Sequence, residues 1–313
     1  MSYSIKEFKG VIPALITCFD AKEEFDEHRQ REVVRKLLSK GVHGFYLTGS
    51  TGEAFLMSLE ERKKVVEVVV DEVAGRVPVM VHVGAISTKL SIELAQHAYK
   101  CGADAVSSVP PFYWRFNNEH IYQYYKELTE ATPLPMVIYN IPLAGVMGFE
   151  LILKLATIEG VKGIKYTNHS HHEIMRIKSE IGSDFVVFSG ADEMAMSGLA
   201  SGADGIIGSF YNLIPELFIS IYQAVQKGDL KEAIEKQSIA NEIINFSLSR
   251  DYFSVMKNAM SWMGVDAGYC RRPFINYDKE EVAKLREQFI ELKNAKNLQG
   301  VDFLGALTTE VNR

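Results

Sequence analysis

Eight short apolar segments recur along the chain, with stretches of helical spacing between most of them, and this rhythm limits the possible folds more than any single motif. They are GVIPALITCF from residue 10, GFYLTGS from 44, VPVMVHV from 77, ADAVSSV from 103, LPMVIYN from 134, VKGIK from 161, DFVVFSG from 184 and ADGIIGS from 203. The intervening segment SLEERKKVVEVVVDEV opens with Ser58 and Glu61 in capping-box spacing. Gly102, Gly160, Gly182 and Gly202 stand where helical segments should stop. Alternation of this kind predicts a parallel sheet, and eight nearly uniform units favour closure into an α/β barrel, the (β/α)8 TIM barrel, over an open doubly wound sheet.

After residue 213 the pattern turns helical through LIPELFISIYQAVQKGDLKEAIEKQSIANEIINF and on to KEEVAKLREQFIELKNA. One closing unit needs less helix than that. We therefore expect a barrel core over 1–213, and over 214–313 a closing helix with additional C-terminal helices of the same domain. No Pro/Ser-rich linker divides the two parts. With 34 Lys+Arg against 40 Asp+Glu the net charge is −6, and no basic tract stands out, which argues against a nucleic-acid partner and for a small-molecule substrate. No run is long and uncharged enough to cross a bilayer, and MSYSIKEFKG lacks the apolar stretch of a signal peptide, so a cytoplasmic protein is expected. Cys18, Cys101 and Cys270 are odd in number and far apart, and read as packing residues rather than a disulfide frame or metal site.

Lys165 ends the sixth apolar run, in GIKYT. An ammonium is strongly hydrated and seldom buried without a partner, so the residue is either a solvated strand end or an amine kept neutral to act as a nucleophile. In a barrel of this kind catalytic groups sit at the C-terminal ends of strands and in the loops that follow. Lys165 shares that mouth with Tyr139, at the end of MVIYNIP, and with LTGSTGEAF after the second run, which favours the nucleophile. Tyr139 alone would be a core aromatic, but opposite such an amine a phenol can relay protons. GSTGE at 49–53 carries the Ser50 and Thr51 hydroxyls on flexible glycine backbone, which suits donors grouped around a carboxylate. His169, His171 and His172 have neither HExxH spacing nor a cysteine partner, and read as the solvated start of a surface helix with no metal role. His82, inside MVHVG, reads as a hydrogen-bonded core histidine.

Taken together, GSTGE, YNIP, GIKYT, GADE and GSFYN, in that order, resemble the N-acetylneuraminate lyase and dihydrodipicolinate synthase family of class I, Schiff-base aldolases. The resemblance runs from about residue 10 to GYCRRPF at 268–274. It implies that Lys165 forms an imine with the keto group of pyruvate, that Tyr139 shuttles protons, and that Ser50 and Thr51 hold the pyruvate carboxylate. PPFYW is similar to the segment that presents a further tyrosine, which implies Tyr113 completing the relay across a subunit contact in a homotetramer. The family's chemistry implies no metal or organic cofactor. Relatives that condense pyruvate with aspartate semialdehyde carry an arginine shortly after YN-P, and YNIPLAGVMG has none. KYT, GADE, GSFYN and VDAG with RRPF are instead similar to sialic acid lyases, which implies sugar-binding roles for Thr167, Asp192, Glu193 and Ser209 with backbone from Gly190 and Gly208. Ala191 and Phe210 depart from that pattern. The expected reaction is cleavage of N-acetylneuraminate to pyruvate and N-acetylmannosamine. The alternatives are a dihydrodipicolinate synthase-like condensation, an aldolase for 2-keto-3-deoxy sugar acids, a zinc aldolase using the histidines, and a barrel that binds sugar acids without turnover.

Overall fold

Each of the eight apolar runs forms a strand: β1 Gly10–Pro13, β2 Phe45–Leu47, β3 Val79–His82, β4 Ala105–Ser108, β5 Met136–Asn140, β6 Val161–Tyr166, β7 Val186–Ser189 and β8 Gly205–Gly208. This computed structural model describes residues 3–307. All neighbouring pairs are parallel, in the order β1-β8-β7-β6-β5-β4-β3-β2, and one parallel bridge from Ala14 to Tyr46 joins β1 to the β2 edge. The sheet is thus a (β/α)8 TIM barrel, as the rhythm predicts. The units between strands carry α1 Glu27–Ser39, α2 Leu59–Val73, α3 Thr88–Lys100, α4 Asn118–Ala131, α5 Phe149–Ala156, α6 His172–Ile181 and α7 Ala195–Ala200.

Because side chains alternate across a strand, each strand feeds two cores. Val11, Ile138, Ile164 and Val187 point outward into the layer beneath the helices. Ile12, Tyr46, Val137, Tyr139, Phe188 and Ile207 point inward and fill the barrel, with Phe8 among them. At α2 the capping box forms as its spacing predicts: the Glu61 N–H donates to Ser58 Oγ at 3.2 Å, and the Ser58 N–H donates to the Glu61 carboxylate at 2.8 Å. The four punctuating glycines all take positive φ. Gly182 caps α6 directly, whereas α5 already stops at Ala156 and Gly160 instead leads into β6.

Beyond β8 come α8 Pro215–Lys227, α9 Leu230–Leu248, α10 Tyr252–Ser261, α11 Lys279–Lys296 and α12 Asp302–Gly305. The helical reading of this region needs one correction, because the helix is interrupted between Trp262 and Asp278. Tyr269 there forms an antiparallel bridge with Phe19, so the segment lies as extended chain against the loop that follows β1. That contact joins residues far apart in sequence and leaves no local pattern. No helix of the described residues is long and apolar enough to cross a membrane.

Candidate active site

Lys165 and Tyr139 are register partners on adjacent strands β6 and β5, and both point into the barrel near its C-terminal mouth. Lys165 is 4% exposed. Its Nζ lies 4.1 Å from the centre of the Tyr139 ring and 4.7 Å from that of Tyr46, and among the described residues it has no hydrogen bond or ion pair. The expected acidic partner of a strand-end ammonium is therefore not there. Ring faces attract a cation, and an amine acts as a nucleophile only through the lone pair of its neutral form. The Tyr139 hydroxyl likewise has no hydrogen-bond partner among the described residues, while the neighbouring Tyr46 hydroxyl donates to Ser107 at 3.1 Å. Of the two phenols beside Lys165, Tyr139 is the one whose hydroxyl is free.

His82 stands behind this pair as the core histidine its context predicts. Its Nδ1 faces the Thr48 carbonyl at 3.0 Å, and the Val109 N–H donates to Nε2 at 3.3 Å, which assigns the neutral Nδ1–H tautomer. Burial, with the Arg62 guanidinium adding to it, holds the ring well below the usual histidine range.

The loop after β2 begins and ends in the left-handed region, at Thr48 (φ 50°) and Glu53 (φ 55°). For a β-branched residue such a conformation is a true outlier, and each instance costs about 1–3 kcal/mol unless its surroundings over-determine it. The loop reaches past β1 to the end of β8, where Thr51 Oγ1 and Ser209 Oγ lie 2.7 Å apart. The proposed carboxylate site and the proposed sugar site thus meet at one hydroxyl pair.

Thr167, Gly190, Asp192, Glu193 and Ser209 line a single cavity of about 300 Å³ at the mouth, together with Ala191, Phe210 and Tyr252. Two glycines are required there by close approach. A Cβ on Gly190 would sit 1.9 Å from Thr167 Oγ1 and 3.1 Å from Lys165 Cε, and one on Gly208 would sit 1.7 Å from Asp192 Oδ1. Asp192 is 7% exposed, and burial raises its carboxyl to about 7 against the opposing pull of the Phe210 N–H, which donates to it at 2.8 Å. That carboxylate turns back toward β8 and does not cap α7, whose N-terminus has no side-chain cap. Ser50 lines a second, largely apolar cavity of about 480 Å³ with Phe55, Phe112 and Leu143, and Tyr252 borders both cavities. Tyr113 lines neither cavity; it is 83% exposed at a φ of 81°, with its ring against Trp114.

The model of the dihydrodipicolinate synthetase family matches residues 7–292. The chain belongs to this family. N-acetylneuraminate lyase of Citrobacter koseri is 39% identical over 285 residues, covering 90% of this chain and 96% of that protein. The wild-type sialic acid aldolase of Ruminococcus gnavus superposes with a TM-score of 0.88 at 33% identity, covering 93% of this chain and 99% of the other. A catalytic-lysine mutant of the same aldolase gives 0.88 at 32% identity, with 95% and 99% covered.

In this family member the residues that sequence reasoning passed over are the ones that hold the site from outside. On α9, Gln237 donates to the Asp192 carbonyl at 3.0 Å and Asn241 to the Glu193 carbonyl at 3.1 Å. Lys257 on α10 is paired with Glu53 at 2.7 Å, both side chains all but sealed from solvent. The histidine reading also needs correction. His171 is buried with Nδ1 2.9 Å from Ser197, whereas His169 and His172 are exposed as expected, His169 lying at the edge of the cavity with Nε2 3.0 Å from Glu193. The turn at 168–171 folds the His171 ring back onto α7, while His169 stays in solvent. Cys18 and Cys270 are buried, whereas Cys101 is half-buried beside His97 and Glu67, the one group of metal-capable side chains close enough to share an ion among the described residues.

Proposed function

We propose that this chain is a carbon–carbon lyase that cleaves N-acetylneuraminate to pyruvate and N-acetylmannosamine through an imine on Lys165. The observation that carries the reading is the buried, unpaired amine in register with a free phenol, packed behind Gly190 of a cavity that Thr167, Asp192, Glu193 and Ser209 line. Neutral Lys165 Nζ adds to the C2 ketone of the open-chain sugar acid, and loss of water leaves a protonated imine. That cation is the electron sink, so the chemistry calls for no metal or organic cofactor. The C4 hydroxyl proton is relayed through Tyr139, which passes its own proton on to solvent as it accepts, the C3–C4 bond breaks, the aldehyde leaves, and the electron pair enters the enamine. Protonation at C3 and hydrolysis then release pyruvate and the free lysine.

Ser50 and Thr51 hold the keto-acid carboxylate, and Thr167, Asp192, Glu193 and Ser209, with backbone at Gly190 and Gly208, hold the polyhydroxylated tail. Leu143, 82% exposed, and Ala144 stand where a semialdehyde-condensing enzyme would carry an arginine. Exposed apolar side chains near the mouth, Phe55, Trp114 and Leu143, suit self-association, and the reading takes the enzyme as a homotetramer in which Tyr113 completes a neighbour's relay. Three free cysteines suit a reducing cytoplasm. The deciding assay compares cleavage of N-acetylneuraminate with condensation of pyruvate and aspartate semialdehyde. Cleavage should dominate, and a preference for the semialdehyde would overturn the substrate assignment.

The raised Asp192 carboxyl gives this reading a pH signature. The group is neutral below about 7 and ionised above it, and an ionised acceptor holds a sugar hydroxyl more firmly. kcat/KM for the sugar should therefore rise as pH climbs through about 7. Above that pH Asp192→Asn should lower it by about 10- to 100-fold, flatten the step, and leave imine formation with pyruvate intact. For stability the sign is opposite. A folded value above the usual 3.8 means that the neutral form's contribution is complete below 3.8 and is lost as pH rises to about 7. A variant that loses thermal stability but keeps its sugar discrimination would remove Asp192 from the substrate site.

A further inference from the structure

The left-handed turn at Glu53 is held by a network that reaches well beyond the loop itself. Glu53 Oε1 accepts from Lys257 Nζ at 2.7 Å, and Oε2 accepts from the Arg271 N–H at 2.7 Å. Lys257 Nζ also donates to the Thr17 carbonyl at 2.7 Å and the Tyr269 carbonyl at 2.6 Å, so its three donors are all used. The Thr17 hydroxyl closes the circuit by donating to the Gly52 carbonyl at 2.7 Å. At the other end of the loop, the Thr48 hydroxyl donates to the His82 carbonyl at 2.9 Å. Ser50 and Thr51 lie between these two strained and anchored points.

A fully buried ion pair is a poor device for stability alone, because apolar residues of the same volume do as well, whereas removing one partner leaves a charge stranded. Its value lies in fixing one geometry. Here it gathers four elements on a single ion pair: the left-handed backbone of Glu53, the end of the β1 loop, helix α10 and the extended segment at 269–271. Strained backbone held in this way is the mark of a preorganised site. We infer that Lys257 and Glu53 are positioning residues that hold the Ser50–Thr51 loop in the conformation that binds the carboxylate of the keto acid. Neither side chain touches the substrate, and both act through the loop backbone. The inference rests on the aldolase reading above, and its test separates the two.

Imine formation at Lys165 is followed by borohydride trapping with two ketones, pyruvate and pyruvamide, which differ in the charge of the group the loop would hold. The wild type should be trapped at far lower concentrations of pyruvate. Glu53→Gln should raise the pyruvate concentration for half-maximal trapping by about 10- to 100-fold while changing that for pyruvamide by no more than about twofold. Because Glu53→Gln leaves a buried ammonium unpaired, the same measurement is made on the uncharged pair Glu53→Gln/Lys257→Met, for which the same loss of selectivity is expected. A structural role alone would weaken trapping of both ketones alike, or lower the melting temperature and leave their ratio unchanged. Either result overturns the inference. If the wild type itself fails to trap pyruvate on Lys165, the aldolase reading is what has failed.

Discussion

Lys165→Arg should abolish cleavage of N-acetylneuraminate while leaving the fold intact. The guanidinium keeps its proton at any pH a protein tolerates and has no lone pair to offer the C2 ketone, so the imine cannot form. The replacement places a guanidinium among the Tyr46 and Tyr139 rings, a setting that stacks such groups readily, so the barrel interior has no reason to collapse. Circular dichroism and the thermal transition should stay close to wild type while product formation falls to background. Appreciable residual turnover would mean that the electron sink lies elsewhere.

Tyr139→Phe should have the next largest effect, lowering the rate constant of the chemical step by about 10²- to 10⁴-fold, the usual worth of a positioned proton donor and acceptor. Pyruvate binding should change far less, because the ring that contacts Lys165 is kept and only the hydroxyl is lost. This makes the effect fall on kcat and not on KM. Single-turnover kinetics should show the imine accumulating before bond cleavage, and an unchanged chemical step would assign the proton relay to another group.

The barrel was legible in the chain because each strand is a short apolar run with its own punctuation, a signal that needs no knowledge of distant residues. Lys165 and Tyr139 were legible for a related reason. A lysine closing an apolar run conflicts with local burial preferences, and such conflicts gather at functional sites. The supports of the site left no such mark. Glu53 and Lys257 are 204 residues apart, and Asp192 and Gln237 are 45 apart, so nothing in the spacing of either pair signals contact. The break in the C-terminal helices was hidden in the same way, since Tyr269 leaves helical geometry to pair with Phe19 at the other end of the chain. His169 shows a further limit. Its neighbours in HSHHE suggest a polar helix start, and only the fold of the 168–171 turn brings it to Glu193.

The central claim is that Lys165 is the nucleophile, and one measurement addresses it directly. The protein is incubated with pyruvate, reduced with borohydride and digested, and the peptides are weighed. The account predicts one added pyruvate-derived group per chain, on the peptide holding Lys165, with loss of activity in step with labelling. Labelling at another lysine, or turnover that is stopped by EDTA and leaves no trapped adduct, would contradict it.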